Sequence, residues 1–259
     1  MDDNEPGRYF VQSLERGLAV IRAFSADRPA MTLSEVAKTT GMSRATARRF
    51  LLTFADLGYM ATDGRDFRLT PRVLELGYAY LSSMSLAEIA QPHLEQLVAE
   101  VRESSSVAVL DGEDVVYVSR VPTRRIMTVS ISIGTRFPAH ATSLGRVMLA
   151  HLDEPQLRHY LDTASLTPLT PGTITSREAL AAELEQVRAQ GWCLVDQHLE
   201  QGLIAIGVPI RNEARRVVAG INLATHVSRR TPDSIRHDLL PPLLATAADI
   251  EAELKVLGQ

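Results

Sequence analysis

Four polar side chains crowd between positions 44 and 49: Arg44, Thr46, Arg48 and Arg49. Arginine offers a planar fork that grips guanine O6 and N7, or a phosphate, through two parallel hydrogen bonds. Threonine offers a methyl to thymine or a hydroxyl to phosphate. This is chemistry for the major groove of a nucleic-acid duplex, if a helix delivers those groups with its first turns. The flanking residues predict such a helix. Ser43 supplies the N-cap, and Ala47, Phe50, Leu51, Phe54 and Leu57 recur at 3–4 spacing as an inward stripe. Upstream, a shorter helix fits Thr32 to Thr40, capped by Thr32 or Ser34, with Leu33, Val36 and Ala37 inward. Gly41 provides the left-handed corner between the two, and Met42 an apolar plug. Corner, cap and basic front turn in one frame predict a helix-turn-helix. The plain alternative is a solvated amphipathic helix pair.

Beyond Gly58, Tyr59-Met60-Ala61 and Phe67-Arg68-Leu69 flank an Asp63-Gly64 turn, a strong hairpin signal. A hairpin just after a recognition helix is a wing. It carries Arg65 beside the turn, placed for the phosphate backbone, and Arg68, whose other use is to support the sheet.

A second constellation lies in GTRFPAHATSLG, residues 134–145. Gly134, Thr135 and Arg136, then Ala141, Thr142 and Ser143, offer backbone N–H groups and hydroxyls ahead of a helix expected from about Arg146. Such groups suit a carboxylate. Arg120 at a strand end and Arg136 are available as a bidentate clamp, with surface ion pairing as the alternative for either. His140 is placed to meet a ligand hydroxyl or to be a satisfied structural histidine. Asn222 stands in an otherwise apolar strand, so its amide faces a ligand or is tied to backbone.

The elements that must position these groups change character along the chain. Residues 10–25 form an amphipathic helix with Leu14, Leu18, Ile21 and Phe24 on one face, and Pro71 opens a helix reaching about Met84. From Ser85 the pattern becomes α+β. A helix over 86–103 precedes strands at 106–110 and 115–120, another at 127–133, and buried strands at 193–195, 204–210 and 217–224. Helices are expected at 146–151, 153–161, 176–190 and 232–257. Hairpin-linked strands with helices on one side predict an α+β sensor domain rather than a doubly wound parallel sheet.

Composition narrows the function classes. With 259 residues and 45% hydrophobic content the chain can build two domains with ample core. The acidic, polar start and the lack of any long apolar run predict neither a secretory signal nor a membrane span. The single cysteine, Cys193, excludes an internal disulfide and a Cys-based zinc cluster, and fits a reducing cytoplasm. Net charge is −4, but residues 28–72 hold eight basic and four acidic groups, whereas residues 73–259 hold 16 and 22. A basic module on an acidic body suits a selective DNA binder.

The segments SLERGLAVIRAF, TLSEVAKTTGMSRATARRFLLTFADLGY, FRLTPRVLELG, GTRFPAHATSLGRVMLA and VVAGINLA occur in an order that resembles the IclR family of bacterial transcriptional regulators. The likeness runs nearly the whole length. RRFLLTFADLGY, LTPRVLELGYAYLSS and VAVLDGEDVVYVSR are most similar to its protocatechuate, 4-hydroxybenzoate and β-ketoadipate subgroup. The resemblance implies a winged helix-turn-helix over residues 1–70, a linker helix over 71–84 and a GAF-like effector-binding domain over 85–259. It implies a homodimer or homotetramer on palindromic promoter DNA, read through Ser43, Arg44, Thr46, Arg48 and Arg49. RNA polymerase is a further partner if the outcome is activation. It also implies a pocket shaped by residues 134–145 and by the strands around Asp196–Ile206 and Ile221–Ala224, taking a small carboxylate or aromatic acid. One departure is DQHLE, which puts His198 where the family usually carries an acidic residue.

The rival classes fit less well. His140, Ser143 and Asp196 can be drawn as a triad, but ATSLG lacks the first glycine of a nucleophile elbow. No phosphate-binding loop, dinucleotide fingerprint or metal-binding helix motif occurs, so no cofactor or metal is expected. A pure protein-interaction module remains as a third class, separable by salt-dependent, sequence-selective promoter binding.

Overall fold

The computed structural model describes residues 10–76, 85–123 and 131–256, and the chain divides between Ser83 and Met84 into two compact units.

The N-terminal unit contains α1 (Gln12–Arg22), β1 (Ala30–Thr32), α2 (Leu33–Thr40), α3 (Arg44–Asp56), β2 (Met60–Thr62) and β3 (Asp66–Leu69). Val20, Val36, Ala47, Leu51, Met60 and Phe67 form its core, the 3–4 stripes of the helices closing on the sheet. The wing is an antiparallel sheet ordered β1-β3-β2. Its β1 was not expected: three residues leading into a helix cap carry no alternation to read. After the wing, Pro71–Val73 make a 3-10 turn and residues 74–76 are helical; the rest of the expected linker helix, residues 77–84, lies outside the described residues.

The C-terminal unit runs α4 (Ser85–Val101), β4 (Ser104–Asp111), β5 (Asp114–Val121), β6 (Arg136–Pro138), α5 (Ser143–Leu149), α6 (Glu154–Thr163), α7 (Arg177–Gln190), β7 (Cys193–Asp196), β8 (Leu203–Arg211), β9 (Val217–His226), α8 (Pro232–Asp238) and α9 (Leu240–Val256). Its antiparallel sheet is ordered β6-β5-β4-β9-β8-β7. Helices cover both faces, which corrects the expectation of one. Leu94 and Leu97 of α4, Ile235 of α8, and Leu243 and Ile250 of α9 pack on Ile204, Ile206, Val208, Ile221 and Leu223. Leu144, Val147, Leu180 and Leu184 of α5 and α7 cover the other face with Ala108, Tyr117 and Val195. Each such fully buried aliphatic side chain contributes roughly 1.5–3 kcal/mol of transfer free energy.

Three local devices differ from expectation. The strand expected at 127–133 falls partly on residues 127–130, outside the described residues, and 131–133 are not extended pairing. The helix expected over 232–257 breaks at Leu239, because Pro241 and Pro242 lack the N–H groups a helix interior needs and instead open α9. Helix α5 starts at Ser143 rather than Arg146, since Thr142 caps it by accepting from Gly145 N at 2.9 Å. Gly145 sits where a Cβ would lie 2.1 Å from the Ala139 carbonyl oxygen, so only glycine lets the two backbones approach.

Candidate DNA-reading surface and effector cavity

In the N-terminal unit the corner is built as the residue types require. Thr32 and Glu35 form a reciprocal capping box on α2, with Thr32 N donating to Glu35 Oε2 at 2.7 Å and Glu35 N to Thr32 Oγ1 at 3.3 Å. Gly41 takes φ +67°, and Met42 N returns to the Ala37 carbonyl at 3.0 Å, closing the turn. Ser43 Oγ accepts from Thr46 N at 3.2 Å and shares a 2.9 Å hydrogen bond with Thr46 Oγ1. Arg44, Arg48 and Arg49 are exposed, and among the described residues none pairs with a carboxylate. Three free cations on one exposed helix, ahead of a capped N-terminus, form a surface for a polyanion.

The two wing arginines part company. Arg68 pairs with Asp63 at 3.1 Å within the hairpin. Asp63 also accepts from Arg65 N and Asp66 N, and those backbone hydrogen bonds hold its carboxyl below the usual range. Arg65 is exposed beside Gly64, which takes φ +94° at the turn, and its guanidinium makes no contact ion pair among the described residues, though its charge reaches Glu35.

In the C-terminal unit a small cavity opens between the sheet and the start of α5. Its polar lining is Ser106, Arg120, Thr142, Ser143 and Asn222, and its apolar lining includes Tyr117, Val195, Leu199, Leu203 and Ala205. Arg120 reaches it through a β-bulge. The pairing of β4 with β5 shifts between Val107 and Ala108, so Ala108 opposes Tyr117 while Ser106 opposes Arg120. Strict alternation would turn Arg120 towards α4. The extra residue turns it to the same face as Tyr117. On the neighbouring strands, Gly207 and Gly220 make room for α5: a Cβ at either would lie 3.1 Å from Ser143 or Leu144 atoms.

Three buried polar atoms at this cavity have no hydrogen-bond partner among the described residues: Arg120 Nε, Ser143 Oγ and Asn222 Oδ1. Arg120 Nη1 donates to Ser106 Oγ at 3.2 Å, which orients the fork. Burial lowers the pKa of Arg120 and pushes that of Tyr117 up to about 12, so the wall next to the cation stays a neutral phenol. A half-buried cation whose Nε is shut from solvent, beside an unpaired hydroxyl and amide oxygen, is costly unless a ligand satisfies it. With apolar walls beside them, they suit a small organic anion carrying further hydrogen-bonding groups.

The other expected effector residues are placed as follows. Ala141, Thr142 and Ser143 line the cavity. Gly134 and Thr135 do not; they are stitched to β5, Gly134 N donating to Tyr117 O at 2.8 Å and Tyr117 N to Thr135 O at 3.0 Å. Arg136 is redirected: it pairs with Asp111 at 2.6 Å and Asp114 at 3.1 Å on the exposed hairpin, because β6 lies beside the β4–β5 turn. Ile206 is also moved, onto the α4 and α9 face of β8, since its neighbour Ala205 takes the cavity side. Asp196 ends β7 next to cavity-lining Val195 and accepts from Gln197 Nε2 at 3.2 Å. His140 is buried, with Nε2 3.3 Å from Thr167 O, and burial lowers its pKa. It makes no hydrogen bond to Ser143, whose Oγ is unpaired, so the triad is not assembled. Burial pushes the Cys193 thiol up to about 12, far from a thiolate. Among the described residues no His, Cys, Asp and Glu cluster is arranged to hold a metal, and no helix is long and apolar enough to cross a membrane.

Comparison with known proteins places both units. Residues 13–64 match the IclR helix-turn-helix domain, and residues 78–252 match the C-terminal domain of the bacterial transcriptional regulator IclR. The Pca regulon regulatory protein of Pseudomonas putida is 45% identical over 242 residues, covering 93% of this chain and 83% of that protein. The p-hydroxybenzoate hydroxylase transcriptional activator of Acinetobacter baylyi is 38% identical, covering 93% of this chain and 91% of that protein. An IclR homologue from Microbacterium hydrocarbonoxydans, crystallised with 4-hydroxybenzoate, superposes with a TM-score of 0.82 at 27% identity, over 93% of this chain and 98% of that one. These relatives are named as regulators, not enzymes. A helix-turn-helix with free arginines, joined in one chain to a cavity for a small molecule, is the architecture of a ligand-responsive DNA-binding protein, and the chain belongs to the IclR family of bacterial transcriptional regulators.

Proposed function

We propose that the chain controls genes of aromatic-acid breakdown, of the protocatechuate and β-ketoadipate type, in response to a small carboxylate or aromatic acid bound in the C-terminal cavity. The observation that carries this reading is the buried, unpartnered Arg120 Nε beside unpartnered Ser143 Oγ and Asn222 Oδ1 in an otherwise apolar space. Arginine meets the carboxylate, the amide and hydroxyl meet ring substituents, and Tyr117, Leu199 and Leu203 cover the ring. The relatives are named as a regulatory protein of the Pca regulon and a transcriptional activator of p-hydroxybenzoate hydroxylase, and the 4-hydroxybenzoate complex belongs to a homologue.

In this reading residues 1–70 bind promoter DNA, residues 71–84 link, and residues 85–259 sense. Ser43, Arg44, Thr46, Arg48 and Arg49 read the major groove, and Arg65 steadies the flanking phosphates. The chain works in the cytoplasm as a homodimer or homotetramer on a palindromic operator, with RNA polymerase as a partner when it activates. The acid favours one arrangement of the C-terminal domain, and the linker passes that preference to the spacing of paired recognition helices; it shifts the balance only by its differential affinity for the two arrangements.

Calorimetric titration with protocatechuate, 4-hydroxybenzoate and β-ketoadipate tests the sensing half, with binding of at least one expected. A salt-dependent shift of the chain's own upstream DNA tests the reading half. Silence from all three acids removes the aromatic-acid assignment, and indifference to that DNA at low salt removes the regulator's mode of action.

A further inference from the structure

One buried guanidinium ties two of the segments that line the cavity to α5 and α7. Arg146, only 1% exposed, lies on α5 three residues after cavity-lining Ser143. Its Nε donates to His140 O at 2.7 Å, fixing the 3-10 turn that carries cavity-lining Ala141. Its Nη1 donates to Glu183 Oε1 at 3.3 Å on α7. Its Nη2 lies 2.6 Å from His198 Nδ1. His198 sits in the strap between β7 and β8, residues 197–202, which brings Leu199 against Leu203, Ala205 and Ala224 at the cavity.

That strap has a demanding backbone. Gln197 takes φ +63° without being glycine, a conformation that persists only when the surroundings enforce it. Its other ties include Thr170 Oγ1 donating to Gln197 O at 2.6 Å, Thr173 Oγ1 to His198 O at 2.7 Å, Gly202 N to Gln197 Oε1 at 2.9 Å, and the backbone bonds of Gln197 N to Leu203 O at 2.8 Å and Val227 N to Gly202 O at 2.9 Å. His198 is the strap's only side-chain link to α5 among the described residues. Since arginine has no acceptor, Nδ1 must carry no proton, which leaves the hydrogen on Nε2.

We infer that His198 is a positioning residue for the effector cavity: by accepting from Arg146 it fixes the strap that presses Leu199 onto the bound molecule. Burial and the adjacent guanidinium hold its pKa down to about 4, so the acceptor form persists at neutral pH. The histidine is not part of the cavity lining itself; it acts through Leu199.

This inference rests on the cavity being the effector site, and its test separates the two. Hydrogen exchange of residues 197–203 is measured in the ligand-free full-length chain for wild type, His198→Ala and His198→Asn. Asparagine Oδ1 falls near the place of Nδ1 and restores an acceptor. Faster exchange in His198→Ala, confined to the strap and its neighbours and reversed in His198→Asn, is the expected result. The same variants are titrated with whichever of the three acids wild type binds. His198→Ala should weaken binding about tenfold, as loss of a hydrogen bond to a charged group does, and His198→Asn should recover most of it. Unchanged strap exchange in His198→Ala, or equal damage in Ala and Asn, overturns the inference. If wild type binds none of the acids, the functional reading falls while the exchange measurement still decides the role of His198.

Discussion

The two units set their arginines in opposite surroundings. On α3 and the wing, Arg44, Arg48, Arg49 and Arg65 are exposed and pair with no carboxylate among the described residues. In the C-terminal unit Arg120 has Nε shut from solvent and unsatisfied, while Arg146 is buried with acceptors at His140, Glu183 and His198. Exposed cations act together, at a distance, and fade with salt; their target is a repeating polyanion. A desolvated cation acts singly and at contact, so its target is one small anion of fitting shape. The contrast teaches that arginine content says little and placement says much.

The sharpest break should come from the backbone that shapes the cavity. Gly145→Ala puts a methyl within 2.1 Å of the Ala139 carbonyl, and a loss above about 4 kcal/mol is expected in calorimetric unfolding. A well-folded variant that still bound an acid would show that the close approach is dispensable. Next comes Arg120→Ala, which should weaken acid binding about ten- to hundredfold while ligand-free promoter affinity stays level. Equal loss of both would erase the division of labour between the units. Arg48→Ala should cost about 1–3 kcal/mol on the operator if it reads a base, whereas Arg65→Ala should weaken all DNA alike and lower the salt slope by about one. Arg68→Ala serves as the control, its charge already being engaged by Asp63.

The smallest effect is on pH. Burial lowers the pKa of His140, His151 and His198, the last to about 4. Arg146, Asp196 and His140 are the charged or titratable groups acting on His198. The unfolded chain takes up protons near pH 6.5 that the folded chain refuses, so stability is complete above that pH and declines as pH falls towards 4. Thermal melts across that window should show the decline, with a shallower slope for His198→Asn. A flat profile would mean these imidazoles charge freely in the fold.

The N-terminal unit was readable because its signals are local. A cap, a corner glycine and a stripe at 3–4 spacing lie within one short stretch, and each depends on its neighbours in sequence. The cavity was readable in parts. Arg120, Asn222 and the Ala141–Ser143 run stand out as polar groups among apolar ones, whereas Arg136 looked equally available until β6 set it beside Asp111 and Asp114. Ile206 was misplaced because LIAIGVPI is apolar at both parities and gives no phase. Tyr117 and Ser106 were missed for the same reason, with the bulge hiding the phase that links them to Arg120. Leu199 had no signal at all, since a leucine in a polar loop becomes a wall only when the strap folds back. The coverage of both sheet faces likewise depends on where α5 crosses, which two distant glycines allow.

The irregular pairing between Val107 and Ala108 has a consequence for anyone who swaps parts among relatives. A chimera that keeps β4 but takes an arginine-bearing β5 from a protein lacking the extra residue at Val118 will carry the right letters on the wrong side. Its ligand preference would then vanish although every cavity residue is kept, and a single inserted residue would bring it back.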